Sequence, residues 1–249
     1  MKKILVTNDD GVRSDGIHAL ADALRPLGDV TVVAPQTEAS AIGHALTLRR
    51  PLRMELLEAG VYEVDGTPTD CVNIAITQIY KPNGAMPDLI VSGINKGYNL
   101  GDDVTYSGTV SGALEGALLG IPSIAVSLER NSATYDFGPA AATGARIAER
   151  VLARGLSQRT FLNINVPTGR PKGLRVTFQA KRNHITVVAQ RLDPRERPYY
   201  WIEEGQDEWE PHDRSDYQAV KDGYVSLTPL QPDLTAYDEM KRIEELYGE

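Results

Sequence analysis

The chain has one cysteine, Cys71, in 249 residues. That excludes an intrachain disulfide and a cysteine-based zinc cluster. Its place in Thr69-Asp70-Cys71-Val72-Asn73, at the start of an expected helix, suits a core thiol better than a nucleophile. Excess positive charge is also lacking: the formal net charge is −8, against the basic surface that binding to a nucleic-acid polymer would favour. No apolar run approaches the length of a membrane span. The start Met1-Lys2-Lys3 leads into a strand and not a signal segment, so a cytoplasmic location is expected. Two phosphate motifs are missing as well. Without G-x-x-x-x-G-K-[ST] a P-loop triphosphatase is disfavoured, and without G-x-G-x-x-G after the first strand so is a dinucleotide-binding dehydrogenase.

What is present reads as one α/β core with an appendage. Ile4 to Asn8, Val30 to Ala34, Asp88 to Ser92 and Ser123 to Ser127 are short apolar runs without polar alternation. Such runs predict strands covered on both faces, as in a parallel sheet flanked by helices. Ile17, Leu20, Ala21 and Leu24 follow the first run at helical spacing, ended by Pro26 and Gly28. A polar, hairpin-like stretch (46–64) precedes a helix opening at Thr67-Pro68-Thr69-Asp70. A further helix is predicted over 139–154, and an alternating strand over 161–166. After Gly169 the character changes, with strands predicted over 174–180, 184–190, 199–203 and 224–228 and a short amphipathic helix over 236–246. The expected division is therefore an α/β core over 1–168 and a β-rich extension over 169–249 that packs on a partner subunit, with a continuous second half of the same core as the alternative.

Chemistry is expected beyond the carboxyl ends of the parallel strands, where three polar loops leave the sheet. The first, Asn8-Asp9-Asp10-Gly11, sets two carboxylates side by side. Like charges in a half-buried turn repel, and a hard divalent cation is the simplest compensation; plain turn formation is the alternative. The second runs from Pro35 to His44 and contains Ser40. His44 is the histidine nearest a candidate loop, with contact to substrate or water set against a packed or solvent-facing role. The third runs from Ser92 through Asn95 and Lys96 to Asp103 and on to Ser107-Gly108-Thr109. Its glycines free backbone amides to face a ligand. Ser107, Gly108 and Thr109 open a helix whose unpaired N–H groups suit a phosphate, while simple helix capping explains the same residues.

Together these segments resemble the SurE family, the survival-protein E nucleotidases. The resemblance rests on Val6-Thr7-Asn8-Asp9-Asp10-Gly11, Ser40-Ala41-Ile42-Gly43, Gly66-Thr67-Pro68-Thr69-Asp70-Cys71-Val72 and Ser92-Gly93-Ile94-Asn95-Lys96-Gly97. Asn99-Leu100-Gly101 and Tyr106-Ser107-Gly108-Thr109-Val110 complete it. Beyond Gly169 it is looser, apart from Gly223 to Leu230. It implies a Rossmann-like three-layer α/β core with a mostly parallel sheet, plus a C-terminal extension exchanged in a homodimer or homotetramer. It also implies a phosphatase of nucleoside 5′- and 3′-monophosphates, with short-chain polyphosphate as a further candidate substrate. One Mg²⁺ or Mn²⁺ per subunit would be bound by Asp9, Asp10, Ser40 and Asn95. In the mechanism this suggests, Asp9, Asp10 and Asn8 act at the reacting centre, and Asn8, Asn95, Ser107, Gly108 and Thr109 hold the phosphate. A non-catalytic nucleotide binder and a group transferase using the same pocket are the rivals.

Overall fold

The structure, a computed structural model, describes residues 1–130, 134–183, 186–204 and 208–248. A nine-stranded sheet runs through the molecule in the order β3-β4-β2-β1-β5-β6-β7-β13-β8. Its centre is parallel: β1 (Lys3–Thr7), β2 (Asp29–Pro35), β5 (Leu89–Lys96), β6 (Ser123–Leu128) and β7 (Phe161–Val166). At one edge β4 (Val61–Val64) joins β2 in parallel, and β3 (Met54–Glu58) folds back on β4 as the expected hairpin.

The apolar runs are buried on both faces, as their lack of alternation predicts. Helices α1 (Asp15–Leu24) and α4 (Gly138–Arg154) cover one face, setting Ile17, Leu20, Leu24, Ile147 and Val151 against Ile4, Val6, Leu89 and Val126. Helices α2 (Pro68–Ile74) and α3 (Gly108–Leu118) cover the other, with Cys71 and Val72 against Leu5, Val33 and Ile90. Thr67 and Asp70 form the full capping box that the Thr-Pro-Thr-Asp opening predicts. No helix among the described residues is long and apolar enough to cross a membrane.

Helix α3 approaches the sheet closely because one side of it carries almost nothing. A Cβ on Gly112 would stand 2.8 Å from Ser92 Oγ, and one on Gly116 would stand 2.1 Å from Ser123 Oγ. Across the sheet, Gly16 of α1 is pressed onto the Ile94 carbonyl, 2.5 Å from where its Cβ would lie. These approaches fix both helices against β1 and β5, the strands that carry the site.

Beyond Gly169 the chain does two things. β8 (Leu174–Val176), α5 (Asp216–Lys221) and β13 (Val225–Leu230) complete the main sheet, with β13 antiparallel to β7. Strands β10 (Thr186–Leu192) and β11 (Pro198–Glu204) form a separate antiparallel hairpin, and β9 (Arg182–Asn183) pairs with β12 (Glu208–Trp209). The strand expected over 174–180 is shorter than its apolar content suggests: after Val176 the chain turns to bond α5 through Phe178 and Ala180. The strand expected from His184 begins, within the described residues, at Thr186; His184 lies outside them. The C-terminal helix α6 (Tyr237–Tyr247) buries none of its residues.

The Gly16 contact yields a test. Gly16→Ala sets a methyl against a backbone carbonyl that cannot rotate away, so denaturant unfolding should show a loss of about 1–3 kcal/mol. Unchanged stability would mean the two elements are not held as described.

Candidate active site

The three loops converge, tied by backbone bonds. The Ala39 amide donates to Asp9 O at 2.8 Å and the Val12 amide to Pro35 O at 2.8 Å, joining the first loop to the second. The Gly43 amide donates to Tyr106 O at 2.9 Å, joining the second to the third. Gly11 takes φ +95°, a left-handed value that turns the chain immediately after the acid pair. Strand β1 ends at Thr7, so Asp9 and Asp10 lie in the turn itself and are not bound to the strand's alternation.

Asp9 is buried at the end of β1, against the first turn of α3. Its Oδ1 accepts from Thr109 Oγ1, and a Cβ on Gly108 would stand 2.7 Å from the Asp9 Cβ. Burial raises its carboxyl above the ordinary range, opposed by the Thr109 hydroxyl and by the amides of Asp9 and Thr109. Asp10 is half-buried, and its Oδ2 is enclosed without a hydrogen-bond partner. Burial first, then the charge of Asp9, pushes its carboxyl up to about 6, with Lys96 pulling it down and Glu38 adding to the rise. The sequence signal was this pair; the shared negative field now has a geometry.

The remaining expected residues sort by what already engages them. Asn8 is buried, and its Nδ2 donates to Gly11 O at 3.0 Å and Ser14 Oγ at 2.8 Å, closing the β1–α1 turn. Its Oδ1 is enclosed without a partner. Asn95 donates Nδ2 to Gly97 O at 2.9 Å, which leaves its amide oxygen as the group for a ligand. Asn95 and Lys96 belong to β5, not to the loop after it: the register shifts between Gly93 and Asn95, where Gly93 takes φ +138°. Ser40 is exposed and its hydroxyl donates to Glu38 Oε1 at 2.6 Å. Ser107 Oγ accepts from the Val110 amide at 3.1 Å, the capping role set out for it above. The Thr109 hydroxyl serves Asp9.

Several contributors escaped the sequence reading. Glu38 adds a third negative charge to the field of the acid pair, and its position two residues before Ser40 was the available signal. Glu115, half-way along α3, accepts from Asn73 Nδ2 at 2.7 Å and lies 2.7 Å from His44 Nε2. A lone acid in a run of glycine and alanine was the clue there. Burial raises its carboxyl, but the bonds from His44 and Asn73 outweigh that and leave it below the ordinary range. Asp216, buried on α5, accepts from the amides of Gly101 at 3.0 Å and Ala180 at 2.9 Å, tying the glycine-rich loop to the distant half of the chain. Nothing in local sequence marks that role.

The donor set suits a hard divalent cation. Two carboxylates, an amide oxygen and a hydroxyl are all oxygen ligands. An enclosed, unpartnered Asp10 Oδ2 beside a second buried acid is an arrangement that an added positive charge relieves.

The sequence model of the family described as "Survival protein SurE" matches residues 4–186. The chain belongs to the SurE family. It is 53% identical over 243 residues to the 5′-nucleotidase SurE of Pelobacter propionicus, covering 96% of this chain and 97% of that one. To the 5′-nucleotidase SurE of Syntrophotalea carbinolica it is 51% identical over 235 residues, 94% and 93% of the two chains. The crystal structure of the SurE protein from Aquifex aeolicus superposes with a TM-score of 0.86 at 46% identity, covering 98% of this chain and 99% of that one. The SurE fold therefore extends over the C-terminal strands, where the motif resemblance is looser.

The Glu115 contacts predict a pH dependence. A carboxylate held below its unfolded value contributes stability above that value, and the contribution is lost as pH falls through the folded one. The stability gap between the parent and Glu115→Gln should therefore be widest near neutral pH and close as pH drops below 4.5, the ordinary glutamate value. A gap that stays constant in acid would contradict the pairing.

Proposed function

We propose that the chain is a divalent-metal-dependent phosphatase that hydrolyses nucleoside 5′- and 3′-monophosphates, with short-chain polyphosphate as a further substrate. The observation that carries this reading is the adjacent Asp9 and Asp10, with Asp9 buried against the first turn of α3, in a chain whose relatives are named 5′-nucleotidases. Asp9, Asp10, Ser40 and Asn95 would hold one Mg²⁺ or Mn²⁺. When bound, such an ion neutralises charge on phosphoryl oxygens and acidifies water.

The residues divide the remaining work. Thr109 fixes one oxygen of Asp9 through its hydroxyl, so that carboxylate keeps a single orientation. Either aspartate is placed to accept the proton of the attacking water, and among the described residues Asp10 Oδ2 has no protein partner to compete for it. The Asn8 amide group holds the turn that aims both acids. The start of α3, at Ser107, Gly108 and Thr109, offers its dipole to the phosphate, and Lys96 lies close enough to act on Asp10 by its charge. A cavity of about 380 Å³ opens beside Ala39, lined by Gln36, Thr37, Ile42, Val64, Gly66 and Thr67. Ala39 and Ile42 of the second loop border it, and we place the nucleoside there.

The division into a core over 1–168 and an extension over 169–249 is part of the proposal, with the extension serving a homodimer or homotetramer. Val188, Leu192, Tyr200, Trp201 and Ile202 of the hairpin are exposed, as are Leu234, Tyr237, Met240, Ile243 and Leu246 in and just before α6. Such apolar area suits contact with another copy. A cytoplasmic site of action completes the reading and accords with a single free thiol.

Phosphate release from adenosine and guanosine monophosphates in Mg²⁺ or Mn²⁺ is the direct test. Chelation should abolish it, and Asp9→Ala and Asp10→Ala should each lower kcat by at least about 100-fold with folding intact. Full activity in either variant would refute the assignment. Gly108→Ala, whose methyl would press on Asp9, should also lose most activity while the helix forms normally. Parent-like turnover in that variant would show that the Asp9–α3 contact is not needed.

A further inference from the structure

The segment from Gln36 to Arg50 carries Glu38 and Ser40, yet it contains neither helix nor strand. Chain of this kind is held only by bonds to its neighbours. At its near end the Ala39 amide is bonded to Asp9 and the Gly43 amide to Tyr106. At its far end the Thr47 amide donates to Asp70 Oδ1 at 2.9 Å, and Thr67 Oγ1 donates to Ala45 O at 2.8 Å. Between these backbone ties stands a contact made by two side chains. His44 Nε2 is 2.7 Å from Glu115 Oε2, while Glu115 Oε1 accepts from Asn73 Nδ2 at 2.7 Å. Asn73 is itself fixed by a bond to Thr69 O at 3.1 Å. Glu115 is buried, His44 is an exposed residue whose ring lies against it, and among the described residues no hydrogen bond or ion pair joins either to Asp9 or Asp10.

We infer that His44 and Glu115 are positioning residues that lock the Ser40 loop onto α3, so that the loop's oxygen donors keep their spacing to the acid pair. The logic is geometric. Helix α3 holds Asp9 at its first turn and Glu115 two turns later, so one rigid element references both the acids and the loop. Both oxygens of Glu115 are engaged, one by the loop and one by α2, which leaves the carboxylate a single orientation. Cutting the His44 bond leaves the Gly43 tie, one residue away, without its side-chain support while the Ala39 and Thr47 ties remain. Ser40 is held between the Ala39 and Gly43 ties, so weakening of the second loosens its distance to the acids without unfolding the protein. This inference rests on the metal-dependent reading for its effect on ion binding, but not for its effect on the loop.

The test compares the parent with His44→Ala, His44→Gln and Glu115→Gln. In substrate-free protein titrated calorimetrically with Mn²⁺, His44→Ala should weaken binding by about 10-fold, at the lower end of what loss of an outer-shell partner costs. Amide hydrogen exchange over 39–47 should accelerate in the same variant, while α3 exchanges as in the parent and the melting temperature stays within a few degrees. His44→Gln keeps a donor able to reach Glu115 and should restore most of both properties. Glu115→Gln should fall between. In steady state the half-saturating Mn²⁺ concentration should rise, with kcat at saturating Mn²⁺ little changed. Parent-like Mn²⁺ affinity and parent-like loop exchange in His44→Ala would overturn the inference. If the parent itself neither binds Mn²⁺ nor releases phosphate, the metal reading fails instead, and the exchange comparison alone decides the loop lock.

Discussion

Contact between the Asp9 side chain and the first turn of α3 is the constraint from which the rest of the site follows. A carboxylate buried at a strand end is costly unless hydrogen bonds and positive potential compensate it. Here the compensation comes from the Thr109 hydroxyl and amide at a helix start. The approach is possible because Gly108 has no side chain at the point of contact. Further along α3, Gly112 and Gly116 let the helix lie flat on β1, β5 and β6, which keeps its first turn beside β1. Asp10, next in sequence, is then held near Asp9 in a place where its own charge is poorly compensated. On the proposed metal-dependent reading that imbalance is chemically useful. A group that relieves repulsion by gathering a cation can present that cation to an anionic ester.

A second layer of bonds steadies the third loop from elsewhere in the chain. The Asn99 amide donates to Asn165 Oδ1 at 2.8 Å, and its carbonyl accepts from Asn163 at 2.8 Å and Asn165 at 3.1 Å. Asn99 Nδ2 reaches Ser127 Oγ at 2.8 Å. Asn163 and Asn165 sit on β7 and are fully buried, and with Asn99 they make a dense polar network at the carboxyl edge of the sheet. Asp216 adds the tie to α5, Arg182 pairs with Asp103 and stands over Trp209, and Trp209 stacks on Tyr217 at 4.4 Å. The segment beyond Gly169 thus reaches the site by bracing its glycine-rich loop, whatever further role the hairpin serves.

Most of the core is legible in the sequence. Runs such as Ile4 to Val6 and Leu89 to Val91 have no polar alternation, and burial on two faces leaves few other arrangements. The Thr67–Asp70 cap was legible because its chemistry is local. The acid pair, the Ser40 loop and the start of α3 were legible as motifs, and the superposition on the Aquifex aeolicus protein supports the fold they were placed in. What sequence could not carry was long-range pairing. Asn163 and Asn165 read as the polar half of an alternating strand, yet they are buried, with both side-chain amides donating to the carbonyl of Asn99, more than sixty residues away. β5 reads as ending at Ser92, but the shifted register at Gly93 carries it on to Lys96. Glu115 and Asp216 gain their roles from partners that periodicity does not specify.

An anomalous-scattering map from crystals grown in Mn²⁺ tests the central claim most directly. The account predicts one peak per subunit, within oxygen-ligand distance of both the Asp9 and Asp10 carboxylates and of the Asn95 amide oxygen. A peak elsewhere, or two carboxyl groups turned apart with no ion between them at saturating Mn²⁺, would contradict it.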